Sequence, residues 1–85
     1  MTPPKHWIKT DDDTLLLTLT FTDYKHIYTI LSMMADKCVE LNHHPTIKID
    51  YMVVTIELYT FDEGNQITDL DIQLAEYINE ITKLK

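Results

Sequence analysis

The sequence predicts an α+β fold in which a four-stranded antiparallel sheet carries two helices packed on one face. Two segments alternate apolar and polar residues, as half-buried strands do, and two others repeat apolar residues every three or four positions, as amphipathic helices do. The strands come in consecutive pairs without a crossover helix for each pair, which favours antiparallel neighbours. The predicted order is β-β-α-β-β-α.

The first pair of strands is expected at residues 7–9 and from Thr14 onward. One face of the second strand carries only apolar side chains, namely Leu15, Leu17, Leu19 and Phe21. Residues 10–13, Thr-Asp-Asp-Asp, are turn-prone and join the two strands. Leu16 interrupts the otherwise polar outer face. The segment therefore predicts a half-buried hairpin.

A long helix is predicted next. Thr22 or Asp23 can cap its N-terminus, because a short side-chain oxygen accepts hydrogen bonds from the free amides of the first turn. Its core-facing stripe consists of Ile27, Leu31, Met34, Cys38 and Leu41. Residues 42–45, Asn-His-His-Pro, follow this stripe and are predicted to form a turn.

The second half contains two more strands and a helix. Residues 46–50 are short and β-rich, and residues 51–61 have the clearest alternation in the chain. The core face of this last strand carries Met52, Val54, Ile56 and Leu58. The polar residues 62–66 form a loop. Thr68 then caps the final helix, and Asp71 completes a capping box. The apolar stripe of this helix is Leu70, Leu74, Ile78 and Ile81.

Size and charge limit the class of protein. A chain of 85 residues fits one domain, residues 1–85. Its 7 basic and 14 acidic residues give a formal charge of −7, which argues against nucleic acid and anionic membranes as direct partners. No run approaches the roughly 18 apolar residues of a membrane span, and no secretion signal opens the chain. The lone Cys38 allows no internal disulfide. We expect a cytoplasmic protein.

The outer face of the predicted sheet is less polar than a solvated surface requires. Four apolar or aromatic side chains fall on it, namely Leu16, Val53, Tyr59 and Phe61. Apolar groups exposed together often mark a contact surface. A homodimer or homotetramer, or a ligand cleft, is the expected use of this face.

The adjacent His43 and His44 are the candidate chemical groups, because histidine exchanges protons readily near neutral pH. Three roles remain open from the residues alone. Metal binding is the weakest, since neighbouring side chains diverge and no cysteine or carboxylate stands at zinc spacing. In a structural role, the imidazoles would bond backbone groups at a helix C-terminus, for which Asn42 is suited. The third role is acid/base catalysis or ligand binding beside Tyr51 and its apolar neighbours.

A longer pattern extends from these histidines. Five residues separate Pro45 from Tyr51, nine separate Tyr51 from Phe61, and nine more separate Phe61 from Asp71. This pattern resembles the pterin-4a-carbinolamine dehydratase family. The resemblance continues at Trp7, in the Leu-Thr-Phe-Thr-Asp stretch of residues 19–23, in residues 54–58 and in residues 71–75. It therefore covers almost the whole chain from Trp7, with the same order of elements.

The resemblance implies a reaction, in which 4a-hydroxytetrahydropterin loses water to give quinonoid dihydropterin during tetrahydrobiopterin-type cofactor recycling. It assigns His43 as the proton donor or acceptor at the 4a-hydroxyl, His44 as a catalytic pocket residue that orients the pterin, and Tyr51 as a wall of the pocket. The other substrate-binding residues that it implies are Pro45, Phe61 and Asp71. No metal or organic cofactor is implied, because the substrate's ring nitrogen assists loss of the hydroxyl.

The chain departs from the family pattern at two positions. Phe61 stands where the family usually has a third catalytic histidine, or occasionally a tryptophan. Val39 stands where the family usually has a charged residue or histidine. Phenylalanine cannot transfer a proton, so the resemblance implies a hydro-lyase with reduced activity. The alternative is a weakly active or inactive member that acts as a binding or dimerisation protein. For Asp71, a purely structural role at the helix N-terminus also stays open.

Overall fold

The computed structural model describes residues 2–61, 64 and 66–83, and within them six elements follow in the predicted order. The strands are β1 (Ile8–Lys9), β2 (Leu15–Thr20), β3 (Thr46–Asp50) and β4 (Val53–Leu58), and the helices are α1 (Tyr24–Leu41) and α2 (Asp69–Thr82). The strands lie in the order β1-β2-β4-β3, and every neighbouring pair is antiparallel. The predicted α+β fold class is confirmed.

A hydrophobic core fills the space between the sheet and both helices. Alternate side chains of β2 and β4 enter it, and the register pairs Leu17 with Ile56. Its buried members are Trp7, Leu15, Leu17, Ile27, Ile30, Met34, Cys38, Val54, Ile56, Leu58, Leu74, Ala75 and Ile78. Burying one leucine or isoleucine side chain contributes about 1.5–3 kcal/mol relative to leaving it exposed. The core therefore fixes how the ends of the two helices lie relative to β4.

The strand predicted over residues 51–61 is shorter than expected, which corrects the sequence-based boundaries. Asp50 pairs with Val53 across β3 and β4, so Tyr51 and Met52 form a two-residue turn. Tyr51 adopts the left-handed conformation (φ 57°) that is common in such turns. Neither turn residue is Gly, Asn or Asp, and both fit the alternation of β4. The apolar alternation therefore predicts a strand that continues through the turn.

Both ends of α1 are capped by the residues expected from sequence. Oδ1 of Asp23 accepts a hydrogen bond from the N–H of Lys25 at 2.9 Å. The helix ends at Asn42, which is left-handed (φ 50°, ψ 47°) and whose N–H donates to the Val39 carbonyl. Asparagine tolerates this conformation better than most residues, so the helix stops here and the chain turns toward β3.

The two surfaces of the sheet differ in exposure. On the face without helices, Val53 is exposed, while Leu16 and Tyr59 are half-buried. At the β3 edge every residue from Thr46 to Asp50 is exposed, so this edge is the larger unpaired surface of the sheet. Within residues 2–61, 64 and 66–83, neither helix has the length and apolar character needed to cross a membrane.

Candidate active site

Three chain segments meet near the C-terminal end of α1. The turn after this helix supplies His43 and His44, the segment after β4 supplies Thr60 and Phe61, and the first turn of α2 supplies Asp71. These segments are far apart in the sequence, and the core between the sheet and the helices brings them together. The site is therefore a product of tertiary packing.

The backbone around Asn42 sets the direction in which His43 projects. After the left-handed Asn42, the N–H of His43 donates to the Cys38 carbonyl at 3.0 Å, which closes the helix end in the manner of a Schellman motif. The role foreseen for Asn42 at the helix C-terminus is thus confirmed. The His43 ring, however, contacts a carboxylate instead of a free backbone group.

His43 and Asp71 form a buried pair. His43 is only 8% exposed and Asp71 is completely buried, and Nε2 of His43 lies 2.5 Å from Oδ1 of Asp71. An ionised carboxylate can only accept hydrogen bonds, so Nε2 carries the shared proton. Nδ1 is then the nitrogen left to accept or release a second proton. The negative charge of Asp71 complements the positive charge that the ring acquires when it is protonated.

The second oxygen of Asp71 is held by two other groups. Oδ2 accepts a hydrogen bond from Oγ1 of Thr60 at 2.8 Å and another from the N–H of Thr68 at 2.9 Å. The bond from Thr68 belongs to the capping box predicted at the start of α2. The capping role and the contact with His43 therefore coexist in Asp71, because each uses a different oxygen.

A cleft of about 260 Å³ opens beside this pair. It is lined by Asn42, His43, His44, Thr46, Tyr59, Thr60 and Phe61. Pockets for drug-sized ligands measure roughly 300–1,000 Å³, so a cleft just below this range suits a small ring system. The lining combines two imidazoles with two aromatic rings. Such a surface can bind a flat heterocycle and exchange protons with it.

The structure brings together some of the predicted site residues and separates others. His43, His44 and Phe61 line the cleft, and Asp71 lies behind His43. Phe61 is 76% exposed, so most of its ring is available at the rim. Pro45 lines a neighbouring groove, and Tyr51 lies in the β3–β4 turn, 79% exposed and outside the cleft. Tyr51 therefore does not form a pocket wall within one copy of the chain.

Sequence reasoning missed Thr60. Its side chain is 8% exposed and contacts Asp71, and its backbone N–H donates to the Gln66 carbonyl at 2.8 Å. One signal could have identified it, because Thr60 continues the core-facing set of Val54, Ile56 and Leu58. A hydroxyl at a core position needs a buried partner. The capping carboxylate of Asp71 is that partner.

An apolar groove of about 500 Å³ lies on the other side of His44. It runs between α1 and β3 and is lined by Leu31, Met34, Ala35, Cys38, Val39, His44, Pro45, Ile47 and Ile49. Burial raises the pKa of the Cys38 thiol, so this group stays neutral and contributes to the apolar surface. Ile47 and Ile49 lie on the edge strand β3 and remain 37% and 36% exposed.

A metal site is not formed by the histidines in the described part of the chain. His43 is paired with Asp71, whereas His44 is exposed. Across residues 2–61, 64 and 66–83, no three His, Cys, Asp or Glu side chains come together in a group that could hold an ion.

Comparison with known proteins identifies the family. A family model described as pterin 4 alpha carbinolamine dehydratase matches residues 1–81 of this chain. The chain belongs to this family. The resemblance drawn from residues 42–45 and the spacing that follows is thereby confirmed.

Two relatives carry the family name as a provisional name. A protein of Sulfurisphaera tokodaii, provisionally named pterin-4-alpha-carbinolamine dehydratase, is 39% identical over 64 residues, which cover 75% of this chain and 68% of the relative. A protein of Burkholderia pseudomallei with the same provisional name is 34% identical over 79 residues, which cover 92% of this chain and 77% of the relative.

Two solved structures share the fold of this chain. The crystal structure of a transcriptional coactivator/pterin dehydratase from Brucella melitensis superposes with a TM-score of 0.85 at 29% identity, covering 91% of this chain and 82% of that chain. A pterin dehydratase-like protein described as a RuBisCO assembly factor in the alpha-carboxysome superposes with a TM-score of 0.72 at 18% identity, covering 88% of this chain and 87% of that chain. At that identity the second likeness concerns the fold alone.

Proposed function

We propose that this protein is a hydro-lyase that converts 4a-hydroxytetrahydropterin to quinonoid dihydropterin and water, in tetrahydrobiopterin-type cofactor recycling. The observation that carries the proposal is the buried His43–Asp71 pair, 2.5 Å apart, at a cleft of about 260 Å³. Family membership supplies the substrate class. The pair supplies a group that can exchange protons beside a bound heterocycle.

The chemistry requires two proton movements. The bond between C4a and the hydroxyl oxygen breaks as the lone pair of the ring nitrogen forms a double bond to C4a. The departing oxygen takes a proton, and the ring nitrogen gives one up. Nδ1 of His43 is the proposed proton carrier, because Asp71 holds Nε2. His44, exposed in the same cleft, is proposed to orient the pterin.

Phe61 offers a ring face at the rim of the cleft but no proton. A positioned acid or base typically accelerates a reaction by about 10²–10⁴-fold. If relatives use a histidine at this position, we expect the present chain to be slower than they are. The proposal therefore includes reduced activity, with His43 as the main acid and base. No metal or organic cofactor enters the proposed reaction.

The proposal is tested by the rate of quinonoid dihydropterin formation above the spontaneous rate. Wild type is compared with His43→Ala, and His26→Ala serves as a matched control, because His26 lies exposed on α1 and packs its ring against Phe21. We expect His43→Ala to lose most of the catalysed rate and His26→Ala to retain it. Equal rates for wild type and His43→Ala would contradict the proposed reaction.

A weakly active or inactive protein that acts as a binding or dimerisation partner is the second candidate. Phe61 favours it, since an aromatic ring 76% exposed at the rim of a cleft suits contact with another molecule. The relative from Brucella melitensis, described as both transcriptional coactivator and dehydratase, is consistent with either role. Binding of pterin without turnover in the rate assay would favour this candidate.

We further propose that the protein is one domain of residues 1–85 that assembles as a homodimer in the cytoplasm without contacting nucleic acid.

The homodimer would pair the exposed edge strands β3 of two copies. If Ile49 lies opposite Ile49 of a second copy, each Lys48 lies opposite Asp50 of the other copy, so the charges are complementary. In that register Tyr51 of the second copy falls opposite Ile47, which lines the apolar groove beside His44. Pairing would also shield Ile47 and Ile49.

A further inference from the structure

Thr60 makes a short chain of hydrogen bonds with Thr68 and Asp71. Its Oγ1 donates to Oδ2 of Asp71 at 2.8 Å and lies 2.5 Å from Oγ1 of Thr68. A hydroxyl has one proton to donate. Because Thr60 uses its proton for Asp71, the hydroxyl of Thr68 is the donor in the contact between the two threonines. Direct donation from Thr68 Oγ1 to Asp71 Oδ2 would span a longer 3.4 Å.

These hydrogen bonds occupy one oxygen of Asp71 and leave the other to face His43. The Thr60 hydroxyl and the Thr68 N–H both donate to Oδ2. Among the bonds seen in the described residues, Oδ1 accepts only from Nε2 of His43. Turning the plane of the carboxylate would stretch the bonds to Oδ2, so these bonds hold the carboxylate in the orientation that faces His43. The orientation of the carboxylate in turn determines how the His43 ring lies and which of its nitrogens carries the proton.

The position of Thr60 is itself constrained. Its backbone forms an isolated bridge with Gln66, and the side chain is buried. Its chain neighbours Tyr59 and Phe61 both line the cleft. Thr60 thus joins the segment that borders the cleft to the carboxylate behind His43.

We propose that Thr60 is a positioning residue that acts on His43 through Asp71. Its hydroxyl keeps the His43 ring in the form protonated at Nε2 and leaves Nδ1 to exchange protons at the cleft. The effect of Thr60 on turnover rests on the proposed dehydratase reaction. The effect of Thr60 on the His43 ring is independent of that reaction.

The test compares wild type with Thr60→Val, which keeps the shape and removes the hydroxyl, and Thr60→Ser, which keeps the hydroxyl. The nitrogen-15 NMR shifts of the His43 ring report which nitrogen carries the proton. We expect wild type and Thr60→Ser to hold it at Nε2 and Thr60→Val to give a mixture of the two forms. With substrate, kcat of Thr60→Val should fall on the order of 10- to 100-fold, as for other misplaced catalytic groups, with KM changing less.

Folding of each variant is checked by thermal unfolding. If Thr60→Val does not fold, Thr60→Ala takes its place, because it also removes the hydroxyl that donates to Asp71 and adds no bulk at this buried position. A folded Thr60→Val or Thr60→Ala protein whose His43 ring keeps the wild-type nitrogen shifts would overturn the proposal. If the His43 ring changes in Thr60→Val but the wild-type protein has no dehydratase activity, only the proposed function is contradicted. An unchanged ring in an active protein would contradict only the role of Thr60.

Discussion

Nε2 of His43 lies 2.5 Å from Oδ1 of Asp71, although the two residues are 28 positions apart in the sequence. One residue follows the C-terminal cap of α1 and the other occupies the first turn of α2. Their contact depends on how both helices pack on the sheet. Asp71 therefore has two roles, because the carboxylate that caps α2 also binds His43, the candidate catalytic residue.

Asp71→Asn is expected to lower kcat by about 10²–10⁴-fold. The amide can donate a hydrogen bond to Nε2 of His43, which would favour the ring that carries its proton at Nδ1. The substitution should also lower the free energy of unfolding by about 1–3 kcal/mol, since buried hydrogen bonds lose their charged acceptor. Dehydratase kinetics and urea unfolding measure the two effects. Asp69→Asn is the control, because Asp69 is exposed in the same helical turn. A loss of activity as large in Asp69→Asn would argue against a specific role for Asp71.

Phe61→His is expected to raise turnover, by up to about 10²-fold, because it adds a proton-transferring group at the rim of the cleft that already contains His43 and His44. Phe61→Leu controls for removal of the aromatic ring. Both variants should fold, since Phe61 is exposed and contributes little to the core. Unchanged or lower turnover in folded Phe61→His would show that a missing acid does not limit the rate.

Because of Cys38, the stability of the folded protein is expected to fall at alkaline pH. Burial raises the pKa of its thiol above the ordinary value of 9.0, so the unfolded thiol ionises at a lower pH than the folded one. Unfolding then releases a proton, and rising pH favours the unfolded chain. This contribution to stability is complete below the ordinary pKa and is lost as pH rises through the raised value.

Denaturant unfolding at pH 7.5 and pH 10 should therefore show a larger loss of stability for wild type than for Cys38→Ala. Comparing the two proteins cancels the titration of the lysines and tyrosines that they share. Cys38→Ala will be less stable at both values because it leaves a small cavity, so the test depends on the difference between the pH values. Identical pH dependence in both proteins would contradict burial of the thiol.

The proposed homodimer is tested by exchanging charges along β3. Lys48→Asp should weaken association, since it places two acidic residues opposite each other, and the double variant Lys48→Asp, Asp50→Lys should restore it. Light scattering after size-exclusion chromatography measures the mass in solution. Lys9→Asp on the opposite edge strand is the control. A monomeric wild type, or no difference between the single and double variants, would contradict this arrangement.

Local patterns in the sequence predicted most of the fold. The alternation from Leu15 and the spacing from Ile27 report which side chains face the core, and the capping residues Asp23 and Thr68 mark where helices begin. The β3–β4 turn was not recognised, because Tyr51 adopts a left-handed backbone without being a residue typical of that conformation. Tertiary packing overrode the local preference there.

The candidate site was predictable only in part. His43 and His44 could be identified from their chemistry, and Asp71 from its spacing. The contact between His43 and Asp71 could not, since it depends on the relative placement of two helices. Thr60 lies at a core-facing position where an apolar residue is usual, and its role depends on a carboxylate eleven residues away. Tyr51 shares the spacing of the family pattern but lies outside the cleft.

The network around His43 has a consequence for how a ligand binds. In the described ranges, every buried side-chain nitrogen and oxygen has a hydrogen-bond partner, and protein groups alone complete the pair of His43 and Asp71. Binding then needs no ordering of these groups, so little free energy is spent on reorganisation. The pair of His43 and Asp71 is therefore preorganised for binding by the protein's own hydrogen bonds.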